Sequence, residues 1–239
     1  MAPERLQKLL AHAGLGSRRQ IEGWIAEGRV KLNGQPAKLG DTATARDKVA
    51  VDGKLINLAD SQAAPCRVLA FKKHTDQVVT RSDPEGRPTV FARLPKLKTG
   101  RWLAVGRLDI NTSGLLLLTT DGELKRRLEH PSYEIEREYA VRVHGNVNED
   151  MLKALTRGVE LEDGTAKFDG IRRVDRGRVD NSSNHWFHVL LHEGRNRLVR
   201  RLWASQDVEV SRLIRVGFGP VALPTGVKAG GYYELEPSE

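Results

Sequence analysis

Leu6, Leu9, Leu10 and Ala13 recur at helical spacing over residues 5–13, so the chain opens on a short amphipathic helix that Gly14-Leu15-Gly16 ends. Ser17, with Gln20 three residues on, has the form of a capping box. It opens a second helix whose Ile21, Trp24 and Ile25 share one face, and Gly28 stands past its end. Val30 and Leu32, then Val49 and Val51, then Leu55 read as short strands, with tight turns at Asn33-Gly34 and Asp52-Gly53. Residues 4–56 are therefore expected to fold as a helix-helix-sheet module. Residues 57–66 are polar and alanine-rich without periodicity and read as a linker.

The pattern then changes to strands. Residues 68–71, 102–105, 115–119, 139–143, 159–161, 185–191 and 208–213 are predicted strands, and only 122–130, 148–157 and 196–205 carry helical spacing. Thr120 with Glu123, and Asn148 ahead of Met151, Leu152 and Leu155, supply start signals for the first two of these helices. Helices this sparse among strands predict an α+β second domain over 67–236, built on a mostly antiparallel mixed sheet.

Composition narrows the partner. Lys and Arg number 39 against 31 Asp and Glu, a net charge of +8 with a pI near 9.7, which suits a polyanion such as nucleic acid or an anionic membrane. The longest apolar run, Leu115 to Leu118, is far too short to span a bilayer, and the N-terminus has no apolar signal core. A single cysteine, Cys66, fits a reducing cytoplasm. Neither a CxxC, an HExxH, a GxGxxG nor a GxxxxGK[ST] pattern occurs, so no metal and no nucleotide cofactor is expected. Within the first module Lys8, Arg18, Arg19, Arg29 and Lys31 form a candidate clamp for RNA backbone, two of them in the first helical turn where free amides already favour phosphate. A solvated basic face is the plainer alternative for any one of them.

Chemistry is concentrated in Gly106-Arg107-Leu108-Asp109-Ile110-Asn111-Thr112-Ser113-Gly114, a charged, glycine-bounded loop between two predicted strands. On the chain alone Asp109 reads as readily as a turn cap or a partner of Arg107 as a nucleophile or base. This stretch resembles the catalytic motif of the bacterial rRNA pseudouridine synthase family, which holds one enzyme for the small ribosomal subunit and the B, E and F enzymes for the large one. Similar stretches are Arg18 to Gly34, Asp83 to Phe91, Arg137-Glu138-Tyr139, and Glu193-Gly194-Arg195-Asn196-Arg197-Leu198-Val199-Arg200-Arg201-Leu202-Trp203, the last most similar to the B-type members. The N-terminal module resembles the RNA-binding domain named after protein four of the small ribosomal subunit.

The resemblance implies isomerisation of uridine to pseudouridine in ribosomal RNA, large-subunit (23S) rRNA first, by a monomer without a cofactor. It makes Asp109 the catalytic aspartate, acting on the ribose carbon, on the ring, or as a proton acceptor in a glycal route. Arg200 becomes the cation that keeps Asp109 ionised. Tyr139 becomes the aromatic face for the target base and an aid to proton transfer, Arg107 the side chain that fills the gap of the flipped nucleotide, and Leu213 and Arg197 its further neighbours. Where the family carries a Lys-Pro-x-Gly turn this chain has Lys73-His74-Thr75-Asp76, expected to lie away from Asp109, Tyr139 and Arg200. A non-catalytic RNA chaperone or assembly factor, and a hydrolytic glycosylase, share the basic chain and the carboxylate and differ in product.

Overall fold

The computed structural model describes residues 2–58, 64–174 and 184–236; most of the expected linker, residues 59–63, lies outside them. The chain divides into two compact units. One comprises Met1–Arg67, Pro95–Leu103 and Thr119–Gly122; the other comprises Val68–Leu94, Ala104–Leu118 and Glu123–Glu239.

In the first unit, helix α1 (Leu6–His12) buries Leu6, Leu9 and Leu10, and α2 (Arg18–Ala26) buries Ile21 and Ile25. Ser17 caps α2 as expected: its hydroxyl accepts from the Gln20 amide at 3.2 Å, and the Gln20 side chain accepts from the Ser17 amide at 2.8 Å. Strands β1 (Val30–Leu32), β2 (Gln35–Pro36), β3 (Val49–Val51) and β4 (Lys54–Ile56) form an antiparallel sheet in the order β2-β1-β3-β4. Val30 and Val49 close a single core with both helices. Residues 95–103 belong to this unit, where a Cβ on Gly14 would lie 2.5 Å from the Gly100 carbonyl oxygen, so that only glycine permits the approach. Periodicity could not show this excursion.

The second unit is organised by a large sheet. Its strands are β5 (Val68–Lys73), β6 (Ser113–Thr119), β7 (Arg137–His144), β8 (Gly170–Arg173), β9 (Asn184–Leu191), β10 (Glu209–Phe218) and β11 (Tyr232–Glu234), in the order β8-β9-β7-β10-β6-β5-β11. Pairing is antiparallel from β8 to β10 and between β11 and β5, while β10 runs parallel to β6. The α+β class and mostly antiparallel mixed sheet are those expected from the pattern. Helix α3 (Gly122–Glu129) begins where predicted, but the Thr120 hydroxyl accepts from the Arg67 amide at 3.0 Å and does not cap it. Helix α4 (Glu149–Arg157) is capped by Asn148, whose side-chain oxygen accepts from the Met151 amide at 2.9 Å. Helix α5 (Leu198–Ala204) packs Leu202 and Trp203 against Phe168, Phe187 and Val189. The expected strand at 102–105 shrinks to Leu103–Ala104, and the one at 208–213 lengthens to the whole of β10.

Candidate active site

Asp109 lies in the turn that leads from Leu103–Ala104 into β6, and the turn closes with the Thr112 amide donating to the Asp109 carbonyl at 3.0 Å. Leu108 is buried beside it, and polar groups from four directions hold the rest of the loop. Lys73, fully buried at the end of β5, donates through Nζ to the carbonyls of Asp109 (3.0 Å), Thr112 (2.8 Å) and His74 (3.0 Å). Asp76 adopts a left-handed conformation (φ 67°), and its amide donates to the Ile110 carbonyl at 2.9 Å. Glu129 on α3 accepts from the Gly106 amide at 2.5 Å. Arg200 donates to the Asn111 carbonyl at 3.1 Å and to the Val210 carbonyl at 2.8 Å.

Two expectations change here. The Lys73-His74-Thr75-Asp76 segment is not remote from the site: it is the underside of the Asp109 loop. Asp76 tolerates the positive φ that glycine would take in the family's own turn, because a short Asx side chain fits there better than most. Arg200 makes no ion pair with the Asp109 carboxylate; its two Nη groups donate to the Val210 and Asn111 carbonyls instead. The ion pair comes from Arg197, whose Nη1 is 3.9 Å from Asp109 Oδ2. Arg197 reaches it from a left-handed N-cap position (φ 50°) at the head of α5. Burial, with Arg197 adding to it, lowers the Arg200 pKa from its ordinary value, while Asp109 and Glu209 oppose the shift.

The remaining arginines of the same motif are accounted for locally. Arg195 donates to Glu193 at 2.6 Å and to the Thr165 carbonyl at 2.8 Å, and Arg201 binds Asp163, whose pKa it holds well below the usual carboxylate range, at about 2. Arg201 therefore ties α5, and Arg195 the segment that leads into it, to the Val159–Leu161/Gly164–Ala166 hairpin.

Asp109 opens onto a cavity of about 850 Å³ within the second unit, lined also by Arg107, Tyr139, Arg197, Leu213 and Arg215. Tyr139 enters from β7 immediately after a register shift against β10 and is half-buried. Leu213, 5% exposed, comes from β10 and also packs into the main core, so its two readings coexist. Arg107 is exposed at the mouth. The cavity thus brings together Asp109, Tyr139, Arg107, Leu213 and Arg197, and Arg200 is not among its lining residues. Sequence reasoning missed Lys73 and Arg215; a cationic residue inside an otherwise apolar strand, as in Val68-Leu69-Ala70-Phe71-Lys72-Lys73, was the available signal.

The five basic residues of the first unit differ in availability. Arg18, Arg19 and Lys31 are exposed. Lys8 is bound to Glu4, while Arg29 stacks 5.1 Å from the Trp24 ring centroid and forks onto Asp52 at 2.8 and 2.7 Å.

A sheet carrying a loop carboxylate, a facing tyrosine and a ring of cations in one cavity defines a class, and residues 67–205 match the sequence pattern of RNA pseudouridylate synthases, while residues 4–49 match that of the S4 domain. The chain belongs to the RNA pseudouridylate synthase family. Among its relatives, Ribosomal large subunit pseudouridine synthase B of Escherichia coli K12 is 56% identical over 235 residues, covering 98% of this chain and 79% of that protein. The protein of the same name from Pseudomonas aeruginosa is 56% identical over 236 residues, and the chain spans 60% of its length. A crystal structure of a pseudouridylate synthase superposes with a TM-score of 0.66 at 25% identity, covering 98% of this chain and 96% of the other.

Proposed function

We propose that this protein isomerises a uridine of large-subunit (23S) rRNA to pseudouridine, with Asp109 as the catalytic carboxylate, Tyr139 as the platform for the flipped uracil, and the S4 unit as an RNA anchor. The observation that carries the reading is the cavity itself: Asp109 and Tyr139 face one space, and Arg197 approaches the carboxylate at 3.9 Å. Every route to the product needs a carboxylate beside the target sugar, and Arg197 sets a cation next to this one. Isomerisation is redox-neutral and returns the ring to the same sugar, so side chains suffice and no cofactor is needed. Arg200 acts here as a positioning residue that holds the Asn111 end of the loop, and Arg107 fills the stack when the nucleotide turns out. The large-subunit assignment is supported by the names of the relatives. The protein is proposed to work as a monomer in the reducing cytoplasm, on rRNA either free or within an assembly intermediate.

Asp109→Asn tests the reading. The variant is expected to form no pseudouridine, by site-resolved mapping of rRNA, while its RNA affinity stays within about threefold because phosphate contacts carry most of the binding. Wild-type turnover in that variant would overturn the assignment. Binding without product in the wild type would instead indicate an RNA chaperone, and free uracil a hydrolase.

A further inference from the structure

Two buried guanidiniums line the cavity, and neither makes an ion pair with a carboxylate among the described residues. Arg215 on β10 stands directly across from Tyr139 on β7. It is 2% exposed, yet it lines the cavity. Its Nε donates to the Leu115 carbonyl at 2.7 Å, its guanidinium lies 5.0 Å from the Phe218 ring centroid, and its Nη2 has no hydrogen-bond partner. Arg137, 9% exposed, stacks on the same ring at 5.3 Å and donates to the His192 carbonyl at 2.9 Å. The acids that act on Arg137 at longer range, Glu129 and Glu193, are themselves held by Lys125 and Arg195. Burial lowers the pKa of both guanidiniums from the ordinary arginine value, with the Tyr139 phenol opposing the shift, but arginine keeps its proton throughout the physiological range. Desolvating such ions without a directly paired carboxylate is costly, and a fold that retains them beside a reactive cavity keeps a fixed field ready for charge that develops there.

We infer that Arg215, backed by Arg137, stabilises the uracil ring as an anion once its bond to the sugar has broken. This rests on the isomerase reading above. On the route through the ribose carbon, the N1–C1′ bond breaks and its electron pair leaves on N1, while C1′ takes up a carboxylate oxygen of Asp109 and that negative charge is consumed. C5 then forms the new bond to C1′ as the carboxylate departs, and the proton on C5 ends on N1. Negative charge therefore moves from Asp109 to the ring and back. A ring held against Tyr139 carries that charge next to Arg215.

The test compares wild type, R215Q and R215K in single-turnover cleavage of the N1–C1′ bond in RNA bearing uridine or 5-fluorouridine at the target. The latter is the better leaving anion and, having fluorine in place of the C5 proton, is followed by loss of the N-glycoside and not by pseudouridine formation. R215Q is expected to react about 100-fold more slowly on uridine, the usual scale for removing one preorganised donor, with RNA affinity within about twofold of wild type. The loss is expected to shrink at least about tenfold on 5-fluorouridine, and R215K to keep most of the rate, because charge and not shape is what the step needs. An unchanged rate, or an equal loss on both RNAs, would overturn the role.

Should R215Q not fold, the wild type decides the question. Uracil and 5-nitrouracil are titrated at a pH where only the second is ionised. About tenfold tighter binding of the anion is expected from a fixed cation in a low-dielectric site, and equal affinity sinks the idea. A wild type that forms no pseudouridine retires the isomerase reading instead, so the two failures are distinguishable.

Discussion

Lys73 shows how much of the site hangs on one side chain. A buried ammonium that donates to three carbonyls replaces the water it lost with fixed dipoles, and those dipoles belong to the loop that carries Asp109 and to the turn beneath it. Burial draws its pKa down to about 8, with Asp109 and Asp76 opposing the shift. Lys73→Met should therefore cost about 2 to 3 kcal/mol in urea unfolding, the scale of losing hydrogen bonds to a charged group, and should slow pseudouridine formation more than it weakens RNA binding. The pH dependence has a definite sign. Above about 8 the folded protein has released a proton that the unfolded chain still holds up to the ordinary lysine range, so unfolding takes up a proton there. Wild type should gain stability relative to Lys73→Met as pH rises from about 8, and show no relative change below it. A wild-type-minus-variant difference that falls over that range would contradict the buried, charge-disfavouring site.

At the scale of elements, the Asp109 loop is aimed by the parallel contact between β6 and β10, where Gly114 faces Arg215 in register. Gly114 has φ +104°, and a Cβ there would lie 2.2 Å from the Arg215 carbonyl oxygen and 2.7 Å from its amide nitrogen. Neither neighbour is a flexible side chain, so one strand must move. Gly114→Ala should cost about 3 kcal/mol or more in chemical denaturation and lower turnover of whatever folds, because Leu213 and Arg215 ride on the displaced strand. The elements that pattern made legible are those with local causes: α2 with its reciprocal Ser17–Gln20 cap, α4 behind Asn148, and the long strands β7 and β9. The short strands Gly164–Ala166 and Tyr232–Glu234 have too few residues to show a period and exist because a partner is already present. Motif resemblance named Asp109 and Tyr139, and both line one cavity. It named Arg200 as the partner of the carboxylate, whereas the nearer cation is Arg197, because the left-handed N-cap conformation ahead of α5 is not legible in a motif.

For the whole molecule, a charge of +8 attracts RNA without saying which surface holds it. The basic residues of the first unit are unequal in this respect. Arg29 is forked onto Asp52 and Lys8 is paired with Glu4, so engaging phosphate with either means giving up an existing pair, whereas Arg18, Arg19 and Lys31 are exposed and make no carboxylate contact among the described residues. Arg18 and Arg19 also stand in the first turn of α2, where unpaired amides and the helix dipole add to their pull on a phosphate. If the S4 unit anchors rRNA through its backbone, Arg18→Ala, Arg19→Ala and Lys31→Ala together should reduce the slope of log affinity against log salt by about 2 to 3, whatever the RNA sequence. Lys8→Ala with Arg29→Ala should change it by less than about 1, because those charges are already neutralised in the free protein. Filter binding over a salt series measures both slopes. The converse ranking would place the anchoring surface elsewhere, whereas saturating single-turnover rates should be nearly unchanged in either variant, since anchoring sets occupancy and the second unit sets the chemistry.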